Sequence, residues 1–288
     1  MTYARDNLIR IGNRVIDFVL RVDRSEVLNG GSVQQRPENP AAEMMKASKN
    51  LLAEGLGTES GKVDYASLKQ SEIYAQFREL SNALIDCSPD DIGTGDKATA
   101  FWVNIYNALI IDGIIHHDVQ GSLLTRPGFF RQIAYDIGGM RFSADAIEHG
   151  VLRHNRTNPA LPIPMFTSDD PRNHVYDPKF DPRLHFALVC GANSCPPISF
   201  YEAETLEQQL NLAAAAFING SGVRYEDESD SLWLSSIFKW YQMDFGGLDG
   251  VLELVQSHLK DGDVSEKIVS GQSRLRYMSY DWSVNRLA

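Results

Sequence analysis

The chain has 288 residues, 43% hydrophobic and 23% charged, a globular balance that excludes disordered and fibrous classes. Its formal net charge of −11 argues against a nucleic-acid partner and against an anionic membrane surface, because both recruit clustered Lys and Arg. Three cysteines (Cys87, Cys190, Cys195) are too few for a disulfide framework; reduced thiols are expected, with one Cys190–Cys195 bridge left open.

Leu8, Ile11, Val15, Phe18, Val19 and Val22 recur at helical spacing and predict an amphipathic first helix. Gly, Ser, Gln and Pro crowd residues 29–39, which read as a linker. Residues 1–39 are therefore expected to be an appended helix and linker, and residues 40–288 a single α+β domain. Helices are expected over 40–55 and from Ile73 to Leu84. A longer one spans about Asp96 to His116; with Phe101, Trp102, Ile105, Leu109 and Ile111 it is apolar on most sides, as a central buried helix is. No uninterrupted apolar run approaches the roughly 20 residues needed to cross a bilayer. Arg5, Asp6, Arg10, Arg14 and Asp17 interrupt the first twenty residues, where a secretory signal needs a continuous apolar stretch. The expectation is a cytoplasmic protein.

Ile133–Ile137 and Met140–Ser143 flank Gly138-Gly139 and predict a hairpin. Ser143 can cap a helix from Ala144 to about His154, with Asp145 in its first turn. After a proline-rich loop, the apolar run Leu184–Cys190 predicts a buried strand. A helix over Glu202–Asn219, a hairpin pairing Val223–Tyr225 with Leu232–Leu234, helices over Phe238–Phe245 and Gly250–Leu259, and a strand over Arg274–Tyr280 complete the chain. Strands and helices do not alternate regularly, which disfavours a doubly wound sheet. The expected fold is α+β, with helices around a small mixed or antiparallel sheet.

Six separated strings stand out: Phe101-Trp-Val-Asn-Ile-Tyr-Asn-Ala-Leu109, Ile147-Glu-His-Gly-Val-Leu-Arg153, Asp181-Pro-Arg-Leu-His-Phe-Ala-Leu-Val-Cys190, Asn193-Ser-Cys-Pro-Pro197, Leu234-Ser-Ser-Ile-Phe-Lys-Trp-Tyr241 with Asp244-Phe245, and Tyr280-Asp-Trp-Ser-Val-Asn285. In order and spacing they resemble the family called domain of unknown function 547, from about Val63 to the C-terminus. The resemblance implies a shared fold but no settled activity. In some eukaryotic relatives the domain is joined to leucine-zipper-like or redox-type modules. Ser199 departs from the resemblance, since relatives often carry a basic residue there, which puts an anion-binding role at that point in doubt.

The densest group of reactive side chains is His185, Cys190, Ser194 and Cys195. A thiol beside an imidazole is the minimum for a cysteine nucleophile. On a strand His185 and Cys190 would point to opposite faces, leaving Cys195, beyond the strand, as the candidate nucleophile. Glu148, His149 and Arg153 form a second group that could supply a general base and an anion clamp. Asn104 and Asn107, with Tyr106, lie in the apolar central helix, where a buried amide either fastens a loop or lines a pocket. The candidate catalytic set is Cys195, His185, His149, Glu148 and Asn104; the candidate binding set is Arg153, Asn107 and Cys190. His149, His185, Cys190 and Cys195 match no zinc spacing, and His116-His117 is expected to face solvent, so neither a metal nor a cofactor is expected.

Two readings stay open. One is a cysteine/histidine-dependent hydrolase or acyl transferase acting on a small-molecule or peptide ligand. The other is a non-enzymatic binding or scaffold domain whose first helix meets a protein partner. Whether the chain is an enzyme is not decided by its residues.

Overall fold

The computed structural model describes residues 2–33, 36–55, 62–174, 180–271 and 273–287. The first half is helical: α1 (Thr2–Leu20), α2 (Pro40–Gly55), α3 (Tyr65–Gln70), α4 (Glu72–Ser81), the one-turn α5 (Pro89–Ile92) and the 22-residue α6 (Gly95–His116). Local chemistry sets these boundaries. The Ser71 side chain accepts from the Tyr74 N–H to start α4, and Ser88 with Asp91 makes a capping box around α5.

Helix α6 has no polar face, and every residue from Ala98 to Ile115 is buried. By length and composition it could cross a bilayer, but its whole apolar window lies inside the protein. Its one buried acid shows how the interior tolerates a charge. Asp112 accepts from Arg78 Nη1 (2.6 Å), Tyr74 OH (2.7 Å) and Tyr135 OH (2.8 Å), so it is both paired and hydrogen-bonded. Those bonds tie α4 and the first hairpin to the central helix.

After the single turn α7 (Phe129–Gln132) come β1 (Ala134–Ile137) and β2 (Met140–Ser143), antiparallel from Ala134↔Ser143 to Ile137↔Met140. Gly138 and Gly139 both take positive φ (62° and 75°), as a two-residue primed turn requires. The remaining elements are α8 (Leu206–Phe217), β3 (Val223–Glu226), β4 (Ser231–Leu234), α9 (Ser236–Trp240), α10 (Gly247–His258), α11 (Gly262–Ser270) and β5 (Arg274–Tyr277). β4 pairs antiparallel with β3 and parallel with β5, so this second sheet is mixed. One core surrounds α6; a second is built on Phe186, Phe217, Phe238 and Phe245.

The architecture is α+β with a buried central helix, and several local expectations need correction. Leu184–Cys190 is not a strand. Asp181 accepts from the Arg183 N–H (2.8 Å) and Pro182 opens a 3-10 helix, Pro182–Phe186, followed by irregular backbone. The helix expected from Ala144 to His154 is a π-helix, Ala146–Leu152. α9 stops at Trp240 rather than running to Phe245, the last strand ends at Tyr277, and α11 was not anticipated. The segment after Leu28 does not begin as a free linker: Asn29 is buried and donates to the carbonyls of Ser81 (2.9 Å) and Asp136 (2.8 Å). Residues 34–35 of that segment, and 175–179 of the proline-rich loop, lie outside the described residues.

Candidate functional site

The expected chemistry gathers around one cavity of about 580 Å³. Glu148, His149, His185, Cys190 and Cys195 all line it, together with Asp145 and an aromatic wall that includes Trp240, Tyr280 and Trp282. The opposite-face argument for His185 and Cys190 fails because it assumed a strand. A 3-10 turn followed by irregular chain obeys no two-residue alternation, and both side chains reach the same hollow.

Glu148 and His149 arrive on the π-helix, whose entry Ser143 secures by accepting from the Ala146 N–H (3.1 Å). Glu148 accepts from Tyr241 OH (2.6 Å) and Tyr106 OH (3.0 Å), one phenol on each carboxylate oxygen. Burial opposes its charge, but the adjoining His149, Tyr241 and Arg153 more than offset this and hold its pKa below the usual value. Asp145, four residues from His149, behaves oppositely: burial pushes its carboxyl up to about 7, against the pull of Arg131. Both ring nitrogens of His149 are engaged, Nδ1 2.8 Å from Arg153 Nη1 and Nε2 2.9 Å from Asn158 Nδ2. Burial brings the His149 pKa down to about 4, keeping it neutral.

His185 has a different support. Its Nε2–H donates to Asp244 Oδ2 (2.9 Å), its ring stacks on Tyr241 with centroids 3.8 Å apart, and Nδ1 makes no hydrogen bond among the described residues. Burial lowers its pKa despite the opposing effect of Asp244. Asp244 also accepts from Arg153 Nε (2.6 Å) and Arg156 Nη1 (2.8 Å). Burial resists its charge, but His185 and Arg153 hold the carboxyl well below the usual aspartate range. An ionised carboxylate thus fixes a neutral imidazole by one nitrogen and leaves the other free. That is the base-and-orienter half of a nucleophilic site.

The thiols sit in the loop after the 3-10 helix. Asn107 holds this loop by donating to the Ala187 carbonyl (3.0 Å) and accepting from the Val189 N–H (2.9 Å). Gly191, between the cysteines, has φ 82°, and a Cβ there would stand 2.5 Å from Ile114 Cδ1 of α6. Only glycine lets the backbone pass so close. Both cysteines are free thiols with sulfurs 2.6 Å apart. Cys195 Sγ accepts from the Cys190 N–H (3.1 Å), and Tyr280 OH lies 3.1 Å away. Burial works against a thiolate at Cys195, yet hydrogen bonds from the Cys190 thiol, Tyr280 and nearby backbone leave its pKa below the ordinary 9.0. Burial and the neighbouring sulfur raise Cys190 instead.

Three of the expected site residues stand elsewhere. Asn104 is fully buried and spends its amide on Tyr201, donating to the carbonyl (2.7 Å) and accepting from the N–H (2.9 Å); its expected catalytic place is corrected to loop fastening. Asn107 fastens the thiol loop and does not line the cavity, which corrects its place in the binding set. Arg153 lies behind the wall, bonded to His149 and Asp244. The residues missed from sequence are Asp244, Tyr241 and Tyr280 as direct partners of the reactive groups, whereas Tyr106, noted beside Asn104 and Asn107, proves to be a partner of Glu148. The signal was present in the string ending Tyr241 with Asp244, where polar atoms sit among aromatic residues.

Among the described residues, one group of three metal-ligating side chains has its ligand atoms within 4.8 Å of one another: Glu26, His116 and His117. It lies at the C-terminal end of α6 and offers the imidazole and carboxylate donors that suit zinc-like ions. His116 is exposed as expected, whereas His117 is half-buried with Nε2 shielded and without a hydrogen-bond partner. Residues 93–218 match the family model described as "Protein of unknown function, DUF547". The match takes in α6, the π-helix, the 3-10 helix and the thiol loop, and ends before Tyr241, Asp244 and Tyr280. No curated protein and no solved structure matches the chain.

Proposed function

We propose that this chain, which carries a domain of the DUF547 family over residues 93–218, is a cysteine/histidine-dependent acyl-transfer enzyme, a hydrolase or acyl transferase. The observation that carries the reading is the sharing of one cavity by Cys195 and by a His185 imidazole already oriented by Asp244. In this reading His185 Nδ1 takes the Cys195 proton, and the sulfur attacks a carbonyl carbon to form a tetrahedral adduct. The leaving group departs with the proton returned from His185, leaving a thioester on Cys195. Water, or another acceptor deprotonated by the same imidazole, then releases the acyl group. Tyr280, hydrogen-bonded to both sulfurs, positions the nucleophile. The aromatic wall suits an acyl portion that is itself apolar.

Thiol chemistry tests the reading. Iodoacetamide should label Cys195 faster than an ordinary exposed thiol, with a midpoint in pH below 9.0, the direction of its shift. A short p-nitrophenyl ester should leave an acyl adduct on Cys195, detectable by intact mass. Cys195→Ala should abolish the adduct, and His185→Gln should slow its formation by about 100-fold. Ordinary labelling rates together with no adduct on a folded chain would sink the idea.

A second reading, a partner-binding domain, is favoured by one observation. Leu8, Ile11, Val15, Phe18 and Val19 leave 56–84% of their surface exposed on α1, an apolar stripe facing away from the body. A protein partner would cover that face.

A further inference from the structure

A second hollow of about 540 Å³ opens between α1, the first hairpin and residues 165–172, on a part of the molecule that the thiol chemistry does not use. Its walls carry six guanidinium groups (Arg10, Arg14, Arg24, Arg131, Arg141 and Arg172) against two carboxylates, Asp17 and Asp170. Such an excess of positive charge is unexpected in a chain of net charge −11. Most of these cations have structural employment. Arg24 and Arg131 both bond Asp17, Arg172 bonds Asp170 by Nε (2.9 Å) and Nη2 (2.7 Å), and Arg10 pairs with Asp169 at 2.5 Å.

Arg14 and Arg141 are different. Arg14 makes no hydrogen bond or ion pair among the described residues. Among the described residues Arg141 donates only to backbone carbonyls, to Glu26 (3.1 Å) from Nε and to Arg131 (3.1 Å) and Gln132 (2.7 Å) from Nη2. Its guanidinium is thereby oriented without being neutralised. Burial, with Arg172 and Arg24 close by, brings its pKa down to about 10 in spite of Asp17. A fixed guanidinium crowded by like charges is what a bound anion relieves, and the planar fork matches phosphate oxygens.

We propose that this hollow is an anion-binding site for a phosphate group, with Arg141 and Arg14 as its principal contacts. Neither the family match nor the thiol cavity assigns it. A soluble phosphate compound and the headgroup of an anionic lipid present the same chemistry, and α1 borders both the hollow and the exposed apolar stripe.

The full chain is titrated with pyrophosphate by calorimetry at fixed ionic strength, and separately sedimented with phosphatidylcholine vesicles with and without one-tenth phosphatidic acid. The expected result is saturable binding in one of these arms, with one pyrophosphate per chain if it is the calorimetric arm; the arm that responds identifies the source. Arg14→Glu, at an exposed position without partners, should weaken binding by about 10- to 100-fold while the melting temperature holds. Arg141→Lys, which keeps the charge and loses the fork, should weaken it as well. Binding in neither arm, or binding that both variants leave unchanged, overturns the assignment. Iodoacetamide labelling of Cys195 should be the same in Arg14→Glu as in the parent, so this site and the thiol site stand or fall separately.

Discussion

Asn104 shows how a polar residue inside an apolar helix can be wholly structural. Both ends of its amide are matched to the backbone of Tyr201, and nothing of it reaches the cavity. Asn104→Ala would strand a buried carbonyl and a buried N–H at once, so it should destabilise the fold by about 2–5 kcal/mol. Denaturant unfolding measures this, with Cys195 labelling in the folded state expected to be unaffected. A loss of labelling with undiminished stability would reverse the assignment and return Asn104 to the site. Asp145 and Glu148 make the complementary point. They lie three residues apart in one buried segment, yet one is held ionised by His149, Tyr241 and Arg153 while burial pushes the other up to about 7.

Among the elements, α1 and the π-helix depart furthest from simple periodicity. The inward face of α1 is polar: Asn13 and Asp17 receive Arg131, and Asp6 accepts from the Ser168 N–H (2.9 Å). Its apolar stripe points outward, the reverse of the usual arrangement for a helix that packs on a core. Replacing Leu8 and Phe18 together by Ser removes apolar surface that touches no core cluster, so the melting temperature should hold within a few degrees. If α1 meets a partner or a second copy, sedimentation should show the complex or dimer lost. Unchanged mass and unchanged partner binding would remove the second functional reading. The π-helix matters because its wider turn sets Glu148 and His149 side by side on the cavity wall.

For the molecule as a whole, Asp244 joins segments distant in sequence: the π-helix through Arg153, the 3-10 helix through His185 and the turn after α9. Its folded pKa lies below the ordinary 3.8, so its contribution to stability is fully present above that value and is lost as pH falls through the folded pKa. Asp244→Asn leaves Arg153 buried without its anion and should cost about 3–5 kcal/mol near neutrality. The gap between parent and variant should narrow only below about pH 4. Urea unfolding across that range checks the sign; a gap that widened on acidification would mean Asp244 is held by something other than these cations.

Much of the fold was legible because it rests on local rules. The all-round apolarity of α6, the Gly138-Gly139 turn and the pairing of β3 with β4 each follow from side-chain pattern over a few residues, and four of the motif strings fall within residues 93–218, which match the DUF547 family model. The members of the candidate site were also largely visible as residue types, since thiols, imidazoles and carboxylates in apolar settings are conspicuous. What sequence could not supply was which of them meet. An apolar run from Leu184 to Cys190 is consistent with a strand or with an irregular buried segment, and only Asp181, Pro182 and the packing against α6 chose between them. Asp244 as the partner of His185, the retirement of Asn104 to a loop, and the arginine-lined hollow beside α1 are likewise decisions of tertiary structure. They join residues tens to more than a hundred positions apart, and hydrophobic periodicity holds no record of contacts at that range.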